Sequence, residues 1–258
     1  MRGFCLVESA RTMCKTVYVS WQEPVSQRRY VVGRLSELVD GSFEFVYTKG
    51  ALKSACFIPF PGMRILEKVY RSSELFPFFS NRLLGKNRPE YKQFIDWLAL
   101  PYEQPSPLDI LARTGGLRAT DAYQIFERVQ ADEQANFSVT FFLRDLVYEG
   151  AKATERVLSL QPNEALCLEV DLRPGAILTS VMVVTESKDV IGCLPSSLAK
   201  DVAMLLAEDS LCCQASVVAI HPHAPRYYKC LCCVRGQVPQ TLQGKVFEND
   251  EYCPIPVF

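Results

Sequence analysis

Val181-Met182-Val183-Val184-Thr185, followed after a short acidic turn by Val190-Ile191-Gly192-Cys193-Leu194-Pro195-Ser196-Ser197-Leu198-Ala199, is the stretch on which the reading of this chain depends. The β-branched runs on either side of the turn predict two paired strands. Ser196, directly after Pro195, is placed to cap a helix, and Leu198, Val202, Leu205 and Leu206 give that helix one apolar stripe to lay on a sheet. Moving outward, Ala165–Val170, Ala215–Ile220 and the alternating run 228–234 read as further strands. Five or six short strands with one or two lateral helices predict a small, partly closed barrel of the OB type.

The N-terminal half is also β-rich. Val17–Trp21, Tyr30–Arg34 and Phe43–Tyr47 are dense in aromatic and β-branched residues, with the turn former Asp40-Gly41 between the second and third, and so predict an antiparallel meander. In Phe57-Ile58-Pro59-Phe60-Pro61-Gly62 the prolines donate no ladder hydrogen bond, so the chain must leave the sheet there. Tyr91, Phe94, Ile95 and Leu98 then mark one face of a helix. A second helix is announced by Ser106 as N-cap and Pro107 at its first position, and closes at Thr114-Gly115-Gly116. The polar stretch 128–136 lacks periodicity, which divides the chain into modules 13–136 and 137–258 of an α+β, strand-dominated protein.

Composition excludes whole classes. With 258 residues, 48% of them hydrophobic, the chain can bury a core and is not disordered over most of its length. Its formal net charge is −1, made of +3 over residues 1–140 and −4 over the rest, so bulk electrostatics do not coat nucleic acid and any such site must be local. Charged residues interrupt every apolar run before the roughly 18–20 residues that cross a bilayer. The apolar run at the N-terminus ends at Glu8, too short for a secretion signal, so a cytoplasmic protein is expected.

The 11 cysteines are an odd number in a long chain, which favours reduced thiols over a disulfide framework. His221, His223, Cys230 and Cys232 offer the ligands of a zinc site. They lack CxxC spacing, and alternation along 228–234 puts Cys230 and Cys232 on one strand face as small hydrophobes, so no metal or other cofactor is expected. The two histidines flank Pro222 in a turn, and no nucleophile elbow, zinc-protease helix, phosphate loop or kinase signature is present. A non-catalytic protein is the favoured reading, with a metal enzyme built on the 221–233 cluster as the weakest rival.

Two motif sets resemble known families. The strand, acidic hairpin, Ile191-Gly192-Cys193-Leu194-Pro195 and following helix resemble a HIRAN domain, over roughly 139–236. Upstream, Tyr30–Leu35, Phe43–Tyr47, Tyr70–Phe79 and Leu108–Gly115 are similar to the N-terminal subdomain of HipA-type toxin kinases, which in some three-component toxin–antitoxin systems is a separate small protein, HipS. No kinase core follows, and the first dozen residues lie outside the similarity.

The HIRAN resemblance implies binding of single-stranded DNA at a free 3′ end, through an Arg-Tyr-Tyr element and an Asn-Pro-containing loop. Tyr148 matches the first element, where Val147 occupies the arginine position. In the loop 171–180, Pro174 is retained, Arg173 replaces the Asn and Ala176 the Asp, with one residue inserted. Arg226-Tyr227-Tyr228-Lys229 supplies the aromatic faces and cations of a single-strand platform, or else an ordinary solvated edge. Phe76-Pro77-Phe78-Phe79 reads as an apolar plug, or as the patch (Phe76, Phe78, Phe79) where a protein partner docks on the HipS-like module. The resemblance thus implies a bacterial DNA-binding protein in a defence, mobile-element or toxin–antitoxin setting. The alternative is a protein-binding adaptor or antitoxin-like subunit.

Overall fold

The computed structural model describes residues 13–101, 105–145, 150–171 and 179–256. The protein is α+β and strand-dominated, with two antiparallel sheets, one of them a curled half-barrel. The first sheet contains β1 (Met13–Gln22), β2 (Arg29–Leu38), β3 (Phe43–Tyr47), β4 (Tyr70–Ser72) and β5 (Tyr123–Phe126), in the order β4-β3-β2-β1-β5. Strand alternation sends Val17, Val19 and Trp21 of β1 to one face, with Val32, Leu35, Phe45 and Tyr47 from its neighbours. That face is covered by the proline-broken loop and by α1 (Pro77–Ser80). Phe60 stacks on Phe78 at 4.0 Å, and the Tyr47 hydroxyl accepts from Phe60 N and donates to Met63 O.

Two helices join the sheets. The Ser106 hydroxyl accepts from Leu108 N at the start of α3 (Pro107–Thr114), and Gly115, at φ 79°, ends it in the left-handed conformation, as the sequence predicts. Leu108 and Leu111 of α3 point into the first core, whereas Ile110 meets Phe142 and Leu231 of the second sheet. Tyr91 and Ile95 of α2 (Tyr91–Trp97) enter the same seam.

The second sheet runs β6-β11-β10-β7-β8-β9, from β6 (Asn136–Phe142), β7 (Ala165–Val170), β8 (Val181–Val184), β9 (Val190–Cys193), β10 (Cys213–Ile220) and β11 (Cys230–Gln237). Its two edges curl toward each other. Just past β6, Arg144 exchanges both backbone hydrogen bonds, each 2.9 Å, with Cys193 at the end of β9. Gly192 makes that approach possible, because a Cβ there would lie 2.6 Å from Arg144 O, at a φ of 150°. A half-barrel whose edges meet is compatible with the expected OB-like architecture. Helix α4 (Gly150–Ser159) packs near β9, and α5 (Ser196–Glu208) buries Leu198, Val202 and Leu205 on the sheet. No helix among the described residues is long and apolar enough to cross a membrane.

Two local expectations need correction, and the tail makes contacts that no local pattern announces. Ser196 is the first residue of α5 rather than its cap: the cap position is Pro195, no side chain caps the helix, and the Ser196 hydroxyl donates to Gln124 Oε1 at 2.8 Å. Tyr228 lies in a 3-10 turn (Arg226–Tyr228), and the last strand begins at Cys230. The C-terminal module also does not keep its own tail. Residues 249–256 return to the first sheet, where Ile255 N donates to Tyr47 O, Lys49 N donates to Cys253 O, and Glu251 accepts from Val31 N and pairs with Lys53. Apolar residues drive this return, since Ile255 enters the first core and the Tyr252 ring sits 4.9 Å from that of Tyr18.

Candidate functional site

Between the sheets lies a cleft of about 770 Å³. Its walls are the outer face of β1 and β2, one side of α3, the end of β5, the polar face of β6 and the first turn of α5. Five cations and two acids line it, and the way they are partnered separates them. Lys15 pairs with Asp109. Arg128 donates to Phe247 O at 2.8 Å, lies 3.5 Å from Glu248 and stacks over Tyr252, so it serves to hold the tail. Arg34, Arg113 and Arg144 form no ion pair among the described residues.

Each of these three is placed by its local structure. Arg34 is the cross-strand partner of Tyr18, so alternation turns it away from the core and into the cleft, where its Nε is buried without a hydrogen-bond partner among the described residues. Arg113 lies on the last turn of α3, beside Ala112 and away from the core-facing Leu111. Burial pushes its pKa down, opposed by the nearby Glu127 and Cys233. Arg144 follows the barrel closure. One terminal nitrogen donates to Thr114 O at 3.3 Å, while NH1 is buried with no partner among the described residues. Burial lowers its pKa as well, and Tyr228, Asp145 and Tyr227 act in the opposite direction.

A guanidinium keeps its charge in any protein environment, so buried N–H groups without acceptors are costly unless an anion supplies them. Other features of the cleft have the same polarity. The uncapped N-terminus of α5 contributes Pro195, Ser197 and Leu198 to the lining and presents the positive end of a 13-residue helix. Ser138 and Thr140 of β6 add hydroxyls. The arrangement suits an oxyanion.

The residues expected from sequence are distributed differently. Tyr148 and Arg173 lie outside the described residues. The 226–229 platform divides: Arg226 and Tyr227 are exposed, with the guanidinium 5.3 Å from the ring, whereas Tyr228 is wedged between Phe94 and Phe142 at 5.8 and 5.2 Å. Tyr228 is therefore seam packing rather than an open stacking face. Lys229 donates to Pro222 O. In the phenylalanine block, Phe79 is completely buried and Phe78 is sandwiched by Phe60 and Arg82, so the block is the plug over the first sheet rather than an open patch.

Cys230 and Cys232 face the second core, their sulfurs 3.5 Å apart. Among the described residues, no three His, Cys, Asp or Glu side chains are grouped to hold a metal ion. His221 hydrogen-bonds to the Trp97 backbone while its Nε2 is buried without a partner among the described residues, and burial lowers its pKa. A folded-state pKa below the unfolded value means stability that is full above about pH 6.5 and lost as pH falls through that range. His221→Asn is expected to remove a few tenths of a kcal/mol of that acid-side loss, small because the ring is only part-buried. Urea unfolding of both proteins at pH 7.5 and 5.5 measures it, and parallel losses would reject the assignment.

No protein-family model matches this chain, and no curated protein matches it.

Proposed function

We propose that this protein is a non-catalytic DNA-binding protein that holds the phosphate backbone of single-stranded or end-containing DNA in the cleft between its sheets. The observation that carries this reading is the buried NH1 of Arg144, without a partner among the described residues, in a cleft shared with Arg34, Arg113 and the uncapped start of α5. The exposed Arg226–Tyr227 pair, within electrostatic reach of Arg144 through Tyr227, extends the basic surface outward. A HIRAN-type barrel agrees with this reading, because the strand–Gly192–helix order brings the start of α5 to the cleft. A bacterial defence or toxin–antitoxin setting rests on the sequence resemblance alone.

Fluorescence anisotropy with labelled single strands and a blunt duplex tests the proposal. Single strands are expected to bind at micromolar concentration or tighter, and Arg144→Gln to weaken binding by about ten- to a hundredfold, the equivalent of about 1.5–3 kcal/mol for a charge-assisted contact. Arg34→Gln and Arg113→Gln, which leave the barrel closure untouched, should weaken it in the same direction. About three phosphate contacts give a log–log salt slope near −2 for a single strand. Absence of binding at tens of micromolar would reject the proposal and favour the adaptor reading, to be pursued by co-purification of a stoichiometric protein.

A further inference from the structure

Taking the cleft as the DNA site, we infer that it seats the terminal phosphate monoester of a strand, not a phosphodiester in mid-strand. The first argument is charge. Once Lys15 is neutralised by Asp109 and Arg128 is occupied by Glu248 and Phe247 O, Arg34, Arg113 and Arg144 face only Glu127 among the described acids of the lining, a surplus of two positive charges that the exposed Asp145, next to Arg144 and outside the lining, offsets in part. A phosphate monoester carries about −1.5 to −2 at pH 7 and has three terminal oxygens to accept hydrogen bonds. A diester carries one charge and has two such oxygens. The uncapped start of α5 adds further positive potential at the same wall.

The second argument is shape. The lining runs from Leu100 and Asp109, beside the α2–α3 seam, to Arg128 and Gln130, where the tail is fastened. Both limits are places where the two halves are joined, an arrangement that suits a strand end better than a strand passing through. About 770 Å³ is the size of a ligand pocket for one or two nucleotides and excludes a duplex.

The third argument is the state of the aromatic lining. Tyr18, Phe126, Phe141 and Phe142 are all buried, and Tyr18 and Phe142 pack against other rings, so among the described residues no open ring face awaits a base. Recognition in the cleft comes from the phosphate, with bases left outside toward Arg226 and Tyr227.

The test compares one thymidine decamer in four forms: both ends hydroxyl, 5′-phosphate, 3′-phosphate, and a circular strand with no end. Competition by inorganic phosphate and by thymidine 5′-monophosphate completes it. The expected result is at least about tenfold tighter binding of one phosphorylated form over the hydroxyl and circular forms, with that preference lost in Arg144→Gln and Arg113→Gln. Which phosphorylated form wins identifies the end. Thymidine monophosphate binding as tightly as the phosphorylated strand would uphold the monoester seat and assign it to a free nucleotide, against strand binding. Equal binding of all four forms, weakened alike by the arginine variants, would overturn the end inference while leaving the DNA cleft standing. No binding of any form would overturn both.

Discussion

Alanine in place of Gly50 is expected to cost about 3 kcal/mol or more and to lower the thermal midpoint by about 6–12 °C, although it adds a single methyl group. Gly50 lies in the 3-10 turn Lys49–Leu52, pressed against the backbone of β2. A Cβ on it would come within 2.7 Å of the Val31 carbonyl carbon and 2.9 Å of its nitrogen, and closer still to the carbonyl oxygen. Backbone atoms cannot swing aside as a side-chain end can, so β2 or the turn must move. Val31 is also where several interactions meet: its carbonyl accepts from the Thr48 hydroxyl at 2.6 Å and its N–H donates to Glu251 of the returning tail at 2.9 Å. Displacing it therefore loosens the tail as well. Gly85→Ala is the control, since its Cβ would meet only the Asn87 side chain, and a gain of a few tenths of a kcal/mol from the stiffer unfolded chain is expected. Differential scanning calorimetry on both variants decides the matter. A Gly50→Ala midpoint within 2 °C of the Gly85→Ala one would mean that the turn yields cheaply.

Much of the architecture was legible because it depends on local periodicity. The alternation in Val17–Trp21 and Tyr30–Arg34 marked β1 and β2 and the face each strand buries, and the Ser106-Pro107 start and Gly115 stop bounded α3. The run of short strands and the Leu198, Val202, Leu205 stripe pointed to a curled sheet with α5 upon it. Short pieces were not legible: β4 and β5, of three and four residues, are strands only because longer neighbours recruit them. The return of residues 249–256 was equally hidden, since Tyr252 and Ile255 are ordinary apolar residues whose partners lie some 200 positions away.

The cleft was less visible still. Arg34 and Arg113 fall inside runs that read as a strand and a helix, and nothing in either run singles them out. Arg144 carried no signal, because its importance arises from the meeting of two sheet edges, and a meeting of edges has no local pattern. The uncapped start of α5 was hidden as well, because Pro195-Ser196 reads as a capped start and only the fold commits Ser196 to Gln124. By contrast, Tyr228 looked like a platform because an aromatic beside Arg and Lys has the composition of a stacking site, while its burial is decided by Phe94, more than a hundred residues upstream.

Replacing Arg82 by methionine is expected to destabilise the fold by about 3 kcal/mol and also to weaken the proposed DNA binding, although Arg82 does not line the cleft. Its side chain is 2% exposed and fully engaged: a two-pronged pair with Asp121 at 2.5 and 3.2 Å, donations to Phe78 O and Gly116 O, and a stack 4.3 Å from the Phe78 ring. Methionine fills the volume but leaves the Gly116 and Phe78 carbonyls without their donor and Asp121 without its cation. Because Asp121 keeps some contact with water, the cost falls at the lower end of the range for a broken buried pair. Arg82→Lys should restore less than half, since an ammonium cannot form the fork or the stack. Urea midpoints at unchanged m-value measure the stability effect, and a lysine variant equal to wild type would show that charge alone suffices. The link to binding runs through α3. Arg82 holds Gly116 O and Arg144 holds Thr114 O, so two buried cations fix the carbonyl end of the helix whose last turn carries Arg113. Releasing one of them frees the turn that places Arg113 in the cleft, and binding should fall severalfold under conditions where the variant is still fully folded. Unchanged affinity there would mean that Arg144 alone is enough to position α3.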